Sequence, residues 1–164
     1  GRRERRRQDH MTIRDKIITE ARSWIGTPYH HQAALKGIGC DCLGIVRGVW
    51  RAVYGADPEH PPAYSRDWAE TLREETLADA ASRHMIPLAL DAFEPGDLLL
   101  FAINDNAPAK HCAILVAQEP VWTGSQQLRP MRMIHAIESH PVAEVSLVPW
   151  WRNRLRFAFR FPEI

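Results

Sequence analysis

The tetrapeptide Asp41-Cys42-Leu43-Gly44 opens an apolar run at helical spacing and so places a thiol at a helix start. From it Ile45, Val46, Val49, Trp50 and Val53 share one face of a 3.6-residue helix, and Gly55 supplies the stop. A thiol in a first turn meets unpaired backbone N–H groups and the positive end of the macrodipole, both of which favour the thiolate. Cys42 is therefore the candidate nucleophile, the alternative being a packed core cysteine. Downstream, Lys110-His111 opens the apolar run Cys112-Ala113-Ile114-Leu115-Val116, and the segment Met131 to Ile137 carries His135 between Ile134 and Ala136. A thiol hydrolase needs a cysteine at a helix N-terminus, an imidazole within hydrogen-bond reach, and a polar group behind that imidazole to fix its tautomer. Cys42, His111 and His135 supply these types in that order, although a single histidine in an apolar strand is ordinarily a core or surface residue.

The elements that must position these groups follow from periodicity. Thr12 can cap a first helix with Asp15 three residues on, and Ile13, Ile17, Ile18, Ala21, Trp24 and Ile25 share one face of it before Gly26 and Pro28 end it. The loop from Thr27 to Cys40 is expected to rim the site, and His30 and His31 beside Tyr29 read either as substrate contacts or as surface loop positions. Ala56 to Ala63 is proline-rich and irregular, and a third helix is expected from about Asp67 to Arg83, with Trp68 and Leu72 packing. Glu94-Pro95-Gly96-Asp97 reads as a turn launching the strand Leu98-Leu99-Leu100-Phe101. The C-terminal half reads as antiparallel sheet. In its last strand Leu155, Phe157, Phe159 and Phe161 form the buried face, while Arg154, Arg156, Ala158 and Arg160 form the solvated one. Trp150-Trp151 reads either as an exposed contact for a partner or as a satellite cluster under a loop.

Composition bounds the class. Hydrophobic content of 45% and charged content of 25% are ordinary for a globular domain, and 164 residues suffice for one core. The first ten residues hold five arginines. Without them five of 21 basic and two of 20 acidic residues drop out, leaving 16 against 18 and a net of −2. The basic bias therefore belongs to residues 1–10, read as a disordered arm or upstream extension, and residues 11–164 are expected to form a single domain that does not bind nucleic acid. No apolar run approaches the roughly 20 residues of a membrane span, and the N-terminus lacks the apolar core of a secretory signal, so neither a membrane partner nor general secretion is expected. Three cysteines do not make a disulfide scaffold. The one-residue gap in Cys40-x-Cys42 is unlike zinc-ligand spacing. No metal or cofactor is expected, and Cys40 is read as a loop-packing residue able to bridge reversibly to another thiol.

Taken in order, Trp24-Ile25-Gly26-Thr27-Pro28-Tyr29, Asp41-Cys42-Leu43-Gly44, Pro95-Gly96-Asp97-Leu98-Leu99, His111-Cys112-Ala113-Ile114 and Ile134-His135-Ala136 resemble the successive signatures of NlpC-type papain-like cell-wall peptidases, over roughly Met11 to Ile164. More narrowly, Tyr29-His30-His31-Gln32, Lys36-Gly37, Cys40 to Gly44 and Pro62-Ala63-Tyr64-Ser65-Arg66-Asp67-Trp68 resemble the branch found in phage and gene-transfer-agent tails. The resemblance implies an α+β, papain-like fold with N-terminal helices packed on a twisted antiparallel sheet. It implies Cys42 as nucleophile, His111 as general base and His135 as the polar third member. Tyr29, with Asp41 beside the nucleophile, would line the substrate or oxyanion site.

The implied substrate is the peptidoglycan stem peptide, cut between D-γ-glutamate and diaminopimelate. The implied setting is a protein made in the cytoplasm, carried in a virion or gene-transfer-agent tail with tail proteins as partners, and acting on the periplasmic wall. Three positions depart from the family pattern: Leu43 stands where serine is common, His30 to Ala33 where paired glycines are common, and Ala113 where glycine usually follows the base histidine by two residues. Alternatives on the same fold are a non-enzymatic tail-tip protein, an N-acetylmuramoyl amidase acting one bond earlier, and a lipid acyltransferase using the same thiol.

Overall fold

A computed structural model of the protein describes residues 11–57, 75–118, 121–123, 126–128 and 131–164. The arm at residues 1–10, most of the proline-rich segment, and the positions of Trp68 and Leu72 lie outside the described residues.

The first helix, α1 (Ile13–Ser23), begins where the sequence reading puts it. Thr12 Oγ1 accepts from the Asp15 N–H at 3.1 Å and the Asp15 carboxylate accepts from the Thr12 N–H at 3.2 Å, a reciprocal box that satisfies two otherwise orphaned donors. After it come the short strands β1 (Ala34–Leu35) and β2 (Gly39–Cys40), then α2 (Cys42–Tyr54), which ends on Gly55 at φ 93°. Next are α3 (Thr76–His84), β3 (Ile86–Leu88), β4 (Leu98–Phe101) and β5 (His111–Gln118). The small pair β6 (Val121–Thr123) and β7 (Gln126–Leu128) precedes β8 (Met131–His135), β9 (Ala143–Ser146), the single-turn α4 (Pro149–Arg152) and β10 (Leu155–Arg160). Of the helix expected over Asp67 to Arg83, the described part is α3. The strand expected to reach Ile137 ends at His135.

Six strands form one antiparallel sheet in the order β3-β10-β4-β5-β8-β9. Its centre is covered on both faces, which is why β4 and most of β5 are apolar without alternation. Leu98, Leu100, Cys112, Ile114 and Ile134 face the helices and pack with Ile17, Ala21, Trp24, Ile45 and Val49. Leu99, Phe101, Ala113, Leu115 and Met133 face the other way, into a second cluster with Phe93 and Leu147.

The last strand corrects the simple alternation. A register shift between Leu155 and Phe157 turns Leu155 to the second face, where it joins Ala158, while Phe159 and Phe161 stay on the helix side and Phe157 is half-buried. A bulge inserts one residue and breaks the period of two at Leu155, and the face read as solvated is covered by the second cluster, which buries Ala158 at 2% exposure.

Two contacts set the position of the sheet and of α2. In the turn before β4, Gly96 sits at φ 97° and its N–H donates to the Leu115 carbonyl at 2.7 Å. The wholly buried Asp97 accepts from the Glu94 N–H and receives the Arg160 guanidinium through two oxygens at 3.0 and 3.2 Å, with Arg14 at 3.4 Å. On α2, Gly44 and Gly48 are small for contact reasons. A Cβ at Gly44 would overlap the Ala33 carbonyl, and one at Gly48 the Trp24 ring. No helix among the described residues is long and apolar enough to cross a membrane.

Gly48→Ala is expected to force α1 and α2 apart and to destabilise the domain by about 1–3 kcal/mol, read as a lowered midpoint in thermal or urea unfolding. A midpoint equal to that of the parent would show that the Trp24 contact yields without cost.

Candidate active site

Helix α2 delivers Cys42 at its first residue because Asp41 caps it. Asp41 Oδ1 accepts from the Gly44 N–H at 2.8 Å, and Oδ2 accepts from the Gln32 N–H at 2.8 Å, while His31 Nδ1 lies 4.0 Å away. Asp41 was expected at the substrate or oxyanion site. It lines the pocket, yet both carboxylate oxygens are engaged by backbone donors, and the Gly44 N–H is thereby taken from any oxyanion. Its evident work is to hold the helix tip and the loop carrying His31 together.

Tyr29 is fixed by an isolated bridge to Cys40, flanked by the hydrogen bonds His30 N–H to Cys40 carbonyl at 2.9 Å and Cys40 N–H to Pro28 carbonyl at 3.0 Å. The loop from Thr27 to Cys40 thus does rim the pocket, through Tyr29 and His31.

Cys42 is half-buried, and its Sγ lies 3.8 Å from the Lys110 carbonyl at the start of β5. Its thiol is held well below the usual cysteine range. A hydrogen bond from the Cys112 thiol contributes most, burial opposes, and the His111 side chain adds a hydrogen bond and its charge. Cys112, 1% exposed in the core, is pushed up correspondingly because it donates to the Cys42 sulfur and is buried. Cys40 is wholly buried, and burial followed by the charges of Asp41 and Cys42 pushes it up to about 12, so it is a poor partner for a bridge. All three cysteines are free.

His111 and His135 carry the strand parity of the second sheet face, away from α2, and His111 reaches the pocket at the end of the sheet. His111 Nε2 and His135 Nδ1 are 3.0 Å apart, with the ring planes at 78°. Burial, then the charge of His111, lowers His135 to about 4, so His135 is neutral across the range in which an imidazole ordinarily titrates. The direction of this bond depends on the ring tautomers: a neutral His135 is able to accept at Nδ1 from His111 Nε2, an arrangement that leaves His111 Nδ1 for another partner. The structure therefore brings Tyr29, Asp41, Cys42 and His111 around one pocket and sets His135 behind His111.

What sequence reasoning missed is Trp151. It lines the same pocket and stacks on His111 at a centroid separation of 4.8 Å and 25°. The pair Trp150-Trp151 stands out in the sequence, but nothing local to α4 signals that one indole reaches β5. His31, one of the two loop histidines that sequence reads as either substrate contact or surface position, lines the pocket, and so do Lys110 and Glu138, which no motif singles out. Among the described residues no three histidine, cysteine, aspartate or glutamate side chains are grouped to hold a metal ion.

Comparison with solved structures assigns the architecture. The NlpC/p60 domain of the peptidoglycan hydrolase SagA superposes with a TM-score of 0.57 at 23% identity, covering 90% of this chain and 98% of that one. The fold is that of an NlpC/p60 domain. A lipoprotein-like NLP/P60 family protein from Staphylococcus aureus subsp. aureus Mu50 matches with a TM-score of 0.55 at 19% identity, and NlpC2 from Trichomonas vaginalis with 0.58 at 13%. Each covers 93% of this chain, which spans 42% and 47% of theirs. No family model matches the sequence, and no curated protein matches it. The α+β, papain-like architecture with a cysteine at a helix N-terminus is thus present as the sequence reading expected.

Two outcomes follow. Iodoacetamide at pH 6 is expected to label Cys42 much faster than Cys40 or Cys112, measured by peptide mass spectrometry; three equally slow thiols would rule out an activated Cys42. The second concerns stability. His135 has a lower proton affinity folded than unfolded, so between about pH 6.5 and about pH 4 the unfolded chain binds the extra proton and stability falls as pH falls. Urea unfolding at pH 7 and pH 5 is expected to show that loss, and His135→Gln to lose a smaller amount over the same interval.

Proposed function

We propose that this protein is a cysteine peptidase of the bacterial cell wall, hydrolysing an amide bond of the peptidoglycan stem peptide through an acyl-enzyme on Cys42. The observation that carries the reading is a thiol of depressed pKa at a helix tip, sharing a pocket with a histidine whose far nitrogen is 3.0 Å from a second, neutral histidine. Its support from comparison is the likeness to the SagA domain, itself named a peptidoglycan hydrolase.

In this mechanism His111 takes the Cys42 proton at Nδ1, and the thiolate attacks the scissile carbonyl. The imidazolium then protonates the leaving amine, and the same nitrogen activates water for deacylation. His135 holds the His111 ring in the required tautomer by accepting from Nε2. The developing oxyanion is received by the first-turn backbone, where the Cys42 N–H remains after Asp41 has engaged that of Gly44, with Tyr29 beside it.

The finer reading is an endopeptidase acting between D-γ-glutamate and diaminopimelate. Its proposed setting is a phage-like or gene-transfer-agent tail, made in the cytoplasm and delivered to the periplasmic wall, with residues 11–164 as the peptidase domain. Support for that setting is the motif resemblance at Tyr29 to Gln32, Lys36-Gly37 and Pro62 to Trp68.

Purified protein incubated with diaminopimelate-type peptidoglycan is expected to release soluble stem fragments whose masses identify the bond cut, and Cys42→Ala to release none. Fragments at equal yield from Cys42→Ala would overturn the thiol mechanism. Absence of fragments from the parent protein would leave a docking role on the same fold.

A further inference from the structure

Residue Trp151 contacts both histidines at once. Its ring lies 4.8 Å from His111 at 25°, an offset stack, and 5.2 Å from His135 at 85°, an edge contact. It is carried by neither of the strands that hold the histidines. It comes from α4, the single turn between β9 and β10, and that turn is pinned on several sides. Arg154 Nη1 donates to the Trp150 carbonyl at 2.7 Å and Arg154 Nε to the Ile103 carbonyl at 3.3 Å, while the guanidinium covers the Trp150 ring at 3.6 Å. Phe101 meets Trp151 from behind at 5.2 Å and 68°. Trp150 points outward at 48% exposure, and Trp151 is thereby held inward over the imidazoles.

We propose that Trp151 is a positioning residue for the thiolate–imidazolium pair, its indole face favouring the protonated ring of His111 and covering the His111–His135 hydrogen bond. The inference rests on the thiol-hydrolase reading above.

An aromatic face attracts a cation through its quadrupole, most strongly when the site is partly desolvated. His111 is 9% exposed, so little water competes for its charge. Other charged or titratable groups around it are Cys42 from the tip of α2, His135 from β8, and Lys110, Asp41, His31 and Glu138 around the pocket. Cys42 as thiolate favours the same imidazolium. Lys110 and the charged form of His31 oppose it, and Asp41 and Glu138 are further negative charges. The arginines next to Trp151 are directed elsewhere, Arg152 over Phe93 and Arg154 over Trp150. The indole is thus the neutral contributor that favours His111 as a cation without neutralising Cys42. It also excludes water from the bond that sets the His111 tautomer.

The test measures alkylation of Cys42 by iodoacetate against pH, with peptide mass spectrometry to identify the site. An anionic reagent reacts fastest while the neighbouring imidazolium is present, so the alkaline limb of the profile marks its loss. Trp151→Leu is expected to move that limb to lower pH by roughly half a unit. Trp151→Phe, which keeps an aromatic face, is expected to move it less, and Trp150→Leu, which removes a ring that touches neither imidazole, to move it less than Trp151→Leu does. If Trp151→Leu does not fold, as judged by its thermal transition, the Trp151→Phe comparison decides: a shift in the same direction supports the proposal and an unmoved limb overturns it. A limb unmoved in folded Trp151→Leu, or moved equally by Trp150→Leu, overturns it while leaving the peptidase reading intact. A parent profile with no imidazolium-dependent limb removes both.

Discussion

A buried carboxylate bears the arrangement of the site. Asp41 spends one oxygen on the Gly44 N–H, which starts α2 at Cys42, and the other on the Gln32 N–H, which fixes the loop carrying Tyr29 and His31. Were that carboxylate replaced by an apolar group, two donors would lose their partner and the helix its cap, each a cost of about 1 kcal/mol or more. The thiol would then begin a frayed turn. Gly44 belongs to the same device, since only the absence of a Cβ lets the Ala33 carbonyl come so close.

The sheet supplies the other half. Because β4, β5 and β8 are covered on both faces, the strand tips that carry His111 and His135 are held by packing on each side. Their parity puts them on the face away from α2, so the thiol and the imidazoles meet only at the sheet's end. The pocket there is lined by Cys42 and His111, while His111 and the His135 behind it remain largely buried, at 9% and 5% exposure. That burial also keeps His135 neutral, and so able to accept from His111.

The departures from the family pattern now have structural counterparts. Ala113 lies in the second cluster facing away from α2, so a methyl group there touches core and not substrate. Leu43 lines the pocket and gives its wall an apolar side chain where serine is common. His31, in the stretch where paired glycines are common, brings a ring to the rim near Asp41. Of these departures, Leu43 and His31 are the two that alter the lining of the pocket.

By itself the sequence determined what depends on neighbours a few residues away. The Thr12 box, the helix beginning at Cys42 and stopping at Gly55, the turn at Gly96 and the apolar strands β4 and β5 all follow from local spacing, cap chemistry and the glycine's positive φ. The candidate cysteine and histidines were legible as types in order along such elements. Tertiary structure alone decided what depends on segments distant in the chain. The bulge in β10 turned Leu155 to the other face, because register is set by the partner strand. Asp41 became a cap shared between two segments. Cys112 became the neighbour of the Cys42 sulfur, and an indole 40 residues beyond His111 came to lie on its ring. Such contacts leave no periodic trace in sequence, since one side chain meeting another across a packed core obeys no fixed spacing.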